Sequence, residues 1–176
     1  MKSLRHGSDR GIVLRKSKLP NQNIVLTFFS ENGGKISVFA YGVRTITSRR
    51  LSHLETGNFI SFSYRNEDGR LYLSETELAY GYSKIKADAL RLQKMYTTLQ
   101  FLQKILPENE PEEAIFERTL DYFKILNNSS EIDARAEEAY LSECLEKLGY
   151  IDEKTRKHQN FDVYDFIKQL TNLKLR

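Results

Sequence analysis

Apolar residues recur at every second position through the first half of this chain and at every third or fourth position through the second. GIVLRKSKL (Gly11–Leu19) is β-branched and apolar at its start and stops at the turn Pro20–Asn23. NIVLTFFS (Asn23–Ser30) and GKISVFAYG (Gly34–Gly42) flank ENGG, whose Asn-Gly pair is a hairpin signal. GNFISFSYRN (Gly57–Asn66) alternates, and Asp68-Gly69 turns it into RLYLSETELAY (Arg70–Tyr80). Five strands separated by short turns predict a small barrel or sandwich.

After Tyr82 the period becomes helical. Ile85, Ala89, Leu92, Met95 or Tyr96, Leu99, Leu102 and Leu106 mark one long amphipathic helix over 84–106, ended by Pro107. Pro111 suits the first turn of a second helix, followed by Glu112 and Glu113 where the helix dipole favours acids. Its buried stripe is Ile115, Phe116, Leu120, Phe123 and Leu126 or Asn127. NNSS (Asn127–Ser130) breaks it, and Ser130 with Asp133 resembles a capping box for a third helix that Gly149 stops. A last helix is expected over roughly 162–174, with Val163, Phe166, Ile167, Leu170 and Leu173 inward. The expected class is therefore α+β: a five-stranded barrel over 1–82, followed by an all-α part over 83–176.

The 176 residues are 40% hydrophobic and 29% charged, as in ordinary folded proteins. No apolar run approaches the roughly 20 residues that span a bilayer, and the first residues lack the apolar core of a signal peptide. Cytoplasmic location is the expectation. A single cysteine, Cys144, leaves no internal disulfide or multi-cysteine metal site, and its place in an apolar stripe suggests an inert thiol. Net charge is +3, unevenly spread: residues 1–82 hold twelve Lys/Arg against seven Asp/Glu. That excess points the first half toward a polyanion.

Catalytic and metal signals are poor. His6, His53 and His158 lie far apart, and there is no G-x-S-x-G elbow or H-E-x-x-H pair. Gly33–Lys35 lacks the upstream glycine and following hydroxyl of a phosphate cradle. No enzyme, metal or cofactor is expected.

Nucleic acid suits the barrel better. A five-stranded barrel with a basic groove is the OB-fold architecture, which binds single strands through phosphate charge and bases stacked on exposed aromatics. If Ile36, Val38 and Ala40 face inward, Lys35, Ser37, Phe39 and Tyr41 line the other face. Phe39 and Tyr41 are then candidate stacking residues beside a lysine. Just downstream, YGVRTITSRRLSHLETG (Tyr41–Gly57) gathers Arg44, Arg49 and Arg50, with Thr45, Thr47 and Ser48 as neutral donors and no acid before Glu55. Guanidiniums of this kind fork onto phosphate oxygens. Pairing with acids of the helical half is the alternative.

GIVLR (Gly11–Arg15), the apolar strand before N-G-G-K, KISVFAYGVR (Lys35–Arg44), SRR (Ser48–Arg50) and L-x-x-G-N (Leu54–Asn58) together resemble the N-terminal domain of the bacterial recombination mediator RecO. FERTLDYFKIL and LEKLGY (Leu145–Tyr150) are more loosely similar to that family's helices. The resemblance implies binding of single- and double-stranded DNA and annealing of complementary strands. It also implies help in loading a recombinase together with a RecR-type mediator and single-strand-binding protein, at the nucleoid. Carried onto matching positions, it implies DNA contacts at Arg15, Lys35, Arg44, Ser48, Arg49 and Arg50. The family's four-cysteine zinc cluster has no counterpart after Cys144, so a short or divergent form is expected.

Two further readings stay open. One is an RNA-binding barrel module, which charge and strand pattern do not separate from a DNA-binding one. The other is a protein-interaction scaffold, in which Lys84, Lys86, Arg91 and Lys94 receive an acidic peptide such as a single-strand-binding protein tail.

Overall fold

The computed structural model describes residues 5–20, 23–41 and 52–173, with Arg5 described by its backbone alone. The described chain divides into two compact units. The first takes the residues up to Tyr82 and also Pro107–Glu113, a segment that the sequence places between helices.

Five strands build the first unit: β1 (Arg5–Lys18), β2 (Ile24–Ser30), β3 (Gly34–Ala40), β4 (Phe59–Glu67) and β5 (Arg70–Tyr80). They close in the order β1-β2-β3-β5-β4, with β4 returning to β1. The long β1 makes closure possible. Its first part pairs with β4 from Arg5↔Asn66 to Ile12↔Phe59, and its later part pairs with β2 from Gly11↔Ser30 to Lys18↔Ile24. The sequence pattern located only this later part. The parallel β3–β5 seam is short, Val38↔Leu71 and Phe39↔Tyr72.

Inside the barrel lie Val13, Ile24, Leu26, Phe28, Ile36, Val38, Ala40, Leu54, Ile60 and Phe62. The Phe28 and Phe62 rings stack with centroids 4.4 Å apart. The β4–β5 turn carries positive φ at both Asp68 and Gly69, the two-residue geometry that matches strand twist. The Leu54–Asn58 motif has a clear physical basis. Leu54 fills the core, and Gly57 takes φ +85°. The buried Asn58 amide donates to the carbonyls of Ser52 (2.8 Å) and His53 (3.0 Å), anchoring the chain where it re-enters the barrel.

Two bulges set which side chains face outward. Val13 pairs with Phe28, but Arg15 pairs with Thr27, so Leu14 is an extra residue. Strict alternation from the inward Val13 would send Arg15 into the core; the extra residue turns it out. Likewise Tyr64 pairs with Leu73 and Ser63 with Glu75, leaving Ser74 extra and turning Glu75 and Glu77 outward.

The second unit holds α1 (Ser83–Ala87), α2 (Ala89–Ile105), most of α3 (Glu113–Asn128), α4 (Ala134–Lys147), α5 (Glu153–Lys157) and α6 (Val163–Thr171). The single helix expected over 84–106 is two. Asp88 is extended (φ −120°, ψ 121°), and its carboxylate accepts the Arg91 N–H at 2.9 Å, starting a new helix. The third expected helix is capped by Asp133 rather than Ser130, through a 2.8 Å bond from the Arg135 N–H. The helix after Pro111 begins at Glu113, and the last one runs Val163–Thr171. Short α5 follows another aspartate cap, Asp152, which the period analysis did not register.

Candidate nucleic-acid interface

On β3 the inward residues are Ile36, Val38 and Ala40, and Ser37, Phe39 and Tyr41 point the other way. Phe39 lies opposite Tyr72 across the seam. Tyr72 points outward because its neighbours Leu71 and Leu73 pack on the core. The three rings form one cluster, with centroids 6.3 Å apart for Phe39–Tyr41, 5.9 Å for Phe39–Tyr72 and 5.3 Å for Tyr41–Tyr72. Tyr41 is 49% exposed, and the other two are partly buried. Sequence reasoning found Phe39 and Tyr41. It missed Tyr72, because only the barrel's closure brings β5 beside β3.

Strand register extends this surface. Ser17, Val25, Phe39, Tyr72 and Arg65 follow one another across five strands, and Arg15, Thr27 and Ser37 form the adjacent row. Arg15 is exposed and makes no ion pair among the described residues. Arg65 is half-exposed and 3.1 Å from Glu67. The arrangement offers rings for base stacking beside a guanidinium for phosphate.

The remaining sequence candidates fare differently. Arg44, Ser48, Arg49 and Arg50 lie outside the described residues. Lys35 faces the expected side, but is covered: its side chain is only 10% exposed and pairs with Glu108 at 3.3 Å. Pro107–Glu113 folds over the Lys35 ammonium.

The four cations expected to receive a peptide on the first helices differ in their surroundings. The Arg91 guanidinium donates to the carbonyls of Leu126, Ser129 (2.9 Å) and Ser130 (3.3 Å), covering the C-terminal end of α3. Lys94 is paired with the buried Glu137, which also accepts from the Tyr164 hydroxyl at 3.0 Å. Lys84 is exposed, and Lys86 is partly buried. Arg91 and Lys94 are therefore engaged within their own unit.

Cys144 is buried, and burial pushes its thiol up to about 12. Burial likewise raises the Tyr122 and Tyr140 hydroxyls. Among the described residues no helix is long and apolar enough to cross a membrane.

A closed barrel of strand order 1-2-3-5-4 followed by helices is an OB-fold barrel joined to an α-helical part. Residues 1–82 match the family described as "Recombination protein O N terminal". Curated relatives named "DNA repair protein RecO" extend the likeness into the helices. The one from Prosthecochloris aestuarii is 28% identical over 109 residues, covering 61% of this chain and 41% of that protein. The one from Bacillus velezensis is 28% identical over 123 residues, 70% and 48% of the two chains. That from Pelotomaculum thermopropionicum is 26% identical over 135 residues, 76% and 53%. The chain spans about half the length of the curated relatives it matches.

Proposed function

We propose that this chain acts in DNA repair by binding single- and double-stranded DNA and promoting annealing of complementary strands. The observation that carries this reading is the outward cluster of Phe39, Tyr41 and Tyr72 beside the open guanidinium of Arg15. Bases stack on the rings whatever their identity, and phosphates follow the cations. Tyr41 also leads directly into the segment holding Arg44, Ser48, Arg49 and Arg50, which supply further phosphate contacts. Annealing needs no reacting side chain. A cationic surface screens the repulsion between two strands and raises their effective concentration. Similarity to RecO proteins supports a role in recombinase loading, with a RecR-type mediator and single-strand-binding protein as partners, in the cytoplasm at the nucleoid.

The test is a salt titration with a labelled single strand, paired with a strand-annealing assay. Neutralising roughly four to six phosphates gives a log–log salt slope near −3 to −4. A slope near zero, with no acceleration of annealing, overturns the proposal. Tighter binding of a matched RNA would redirect it to the RNA-binding alternative.

A further inference from the structure

The segment Pro107–Glu113 reads PENEPEE, four carboxylates without a cation, and it belongs to the barrel unit rather than the helical one. It runs alongside the start of β3. Glu108 forms a parallel bridge with Lys35, and the Asn109 N–H donates to the Lys35 carbonyl at 3.0 Å. Asn109 takes φ +60°, a conformation that asparagine tolerates better than most residues. The strap also passes over Gly34 at a distance only a glycine permits. A Cβ there would lie 1.9 Å from the Glu110 carbonyl oxygen, and φ at Gly34 is +68°.

Lys35 lies on the same outward side of β3 as Ser37, Phe39 and Tyr41. The strap therefore lies at the start of the β3 strand whose far end carries Phe39, holds Lys35 in an ion pair, and adds negative charge there. We propose that Pro107–Glu113 is a built-in competitor for the polyanion: an acidic strap that masks Lys35 and limits how far a strand extends along the β3 face. This rests on the DNA-binding reading. The strap is the point at which affinity is tuned, because displacing it both removes repulsion and exposes a cation.

The experiment measures the salt dependence of labelled oligo(dT) binding for the whole chain and its variants. Glu108→Gln/Glu110→Gln/Glu112→Gln should bind several-fold tighter at low salt, with the slope steeper by about 0.7, one extra phosphate on a single strand. Lys35→Met added to that variant should cancel the steepening, whereas Lys35→Met alone should leave the slope of the native chain unchanged. Gly34→Ala should expel the strap, speed amide exchange at Asn109 and steepen the slope in the same way; the glutamine variant provides the test if this one fails to fold. An unchanged slope in the glutamine variant overturns the proposal, as does steepening that persists without Lys35. A native chain that binds while the variants match it refutes the strap alone. If neither native nor variant binds, the DNA-binding reading falls, and the strap proposal with it.

Discussion

The barrel and the helical unit use the same residue types in opposite ways. The barrel turns Phe39, Tyr41 and Tyr72 outward and leaves Arg15 facing solvent. The helical unit turns Tyr122, Tyr140 and Tyr164 inward. Four of its cations are held: Arg91 on helix-end carbonyls, Lys94 on Glu137, Arg118 on Glu143 at 2.8 Å and Arg156 on Glu146 at 2.7 Å. Tyr122 stacks on Tyr140 at 4.6 Å, and the Tyr140 hydroxyl meets Thr119 Oγ1 at 2.8 Å. A tyrosine or arginine therefore says little about binding until its partners are known. In the helical unit these particular groups hold the fold together; on the β3 side of the barrel, Arg15 and the three rings face outward.

Breaking the helical unit's buried pair should produce the largest effect. Lys94→Met leaves the Glu137 carboxylate, itself 4% exposed, without its counter-charge. Removing one partner of a buried pair costs about 3–5 kcal/mol. Urea denaturation should show a loss of that order with little change in DNA affinity at permissive temperature. Arg15→Ala should show the reverse, because its guanidinium has no described ion partner to lose. A stable Lys94→Met protein would mean that the two units do not differ in the way described.

Next come the aromatic rings. Tyr41→Ala and Tyr72→Ala should each weaken oligo(dT) binding by about 1–3 kcal/mol, the worth of one base stack. Neither should move the melting temperature much. Tyr140→Phe, by contrast, removes a buried hydroxyl from Thr119 and should cost roughly 1 kcal/mol of stability with no change in binding. Anisotropy titrations and thermal melts on the same three variants separate the two roles.

A smaller and graded difference follows from pH. The buried Cys144 thiol is pushed up to about 12, and Tyr140 is raised as well, both by burial. Below the ordinary thiol range both folded and unfolded chains hold the proton, so nothing changes. As pH rises past about 9, the unfolded chain releases the proton first. Stability then falls by about 1.4 kcal/mol per pH unit on account of Cys144, until its folded value is reached, and Tyr140 adds to the fall only above the ordinary tyrosine range. The helical transition should weaken over pH 9–12, and Cys144→Ala should remove part of that dependence. A thiol reagent should find Cys144 unreactive at pH 8 until the unit unfolds.

The contrast also explains what could be read from the sequence. Local signals carried the barrel: alternation on β3 sorted Phe39 and Tyr41 to the outer side, and Asp68-Gly69 set the β4–β5 turn. What escaped depends on residues far apart. Tyr72 joins the aromatic cluster only through the parallel seam with β3. Arg91 looked available because the carbonyls it serves lie 35 to 39 positions downstream. Lys35 looked open because its cover comes from Glu108. The bulges at Leu14 and Ser74 have no alternation signature of their own, yet they decide the direction of Arg15 and Glu75. The break at Asp88 was within reach of sequence: an aspartate followed three residues later by the amide it caps interrupts an otherwise continuous period.

The smallest expected effect tests the comparison from inside the barrel, where one arginine behaves like those of the helical unit. Arg10 forks onto Glu31, with Nε to Oε2 at 2.9 Å and Nη2 to Oε1 at 2.6 Å, and its guanidinium lies 5.9 Å from the Phe59 ring centre. It sits on the part of β1 that pairs with β4, opposite Ser61, among Ser8, Ser63, Glu75 and Glu77. That cleft has hydroxyls and carboxylates where the aromatic surface has rings. Glu31→Gln frees Arg10 without altering Arg15 or the ring cluster. If binding is confined to the aromatic side, the salt slope should stay within a few tenths of the native value. The pair is half-exposed, so stability should change by less than about 1 kcal/mol. A slope steeper by about 0.7 would mean that a phosphate reaches Arg10. The strand would then wrap round β1 onto the β4 side, and pairing, rather than position on the barrel, would be what keeps that cation from the ligand.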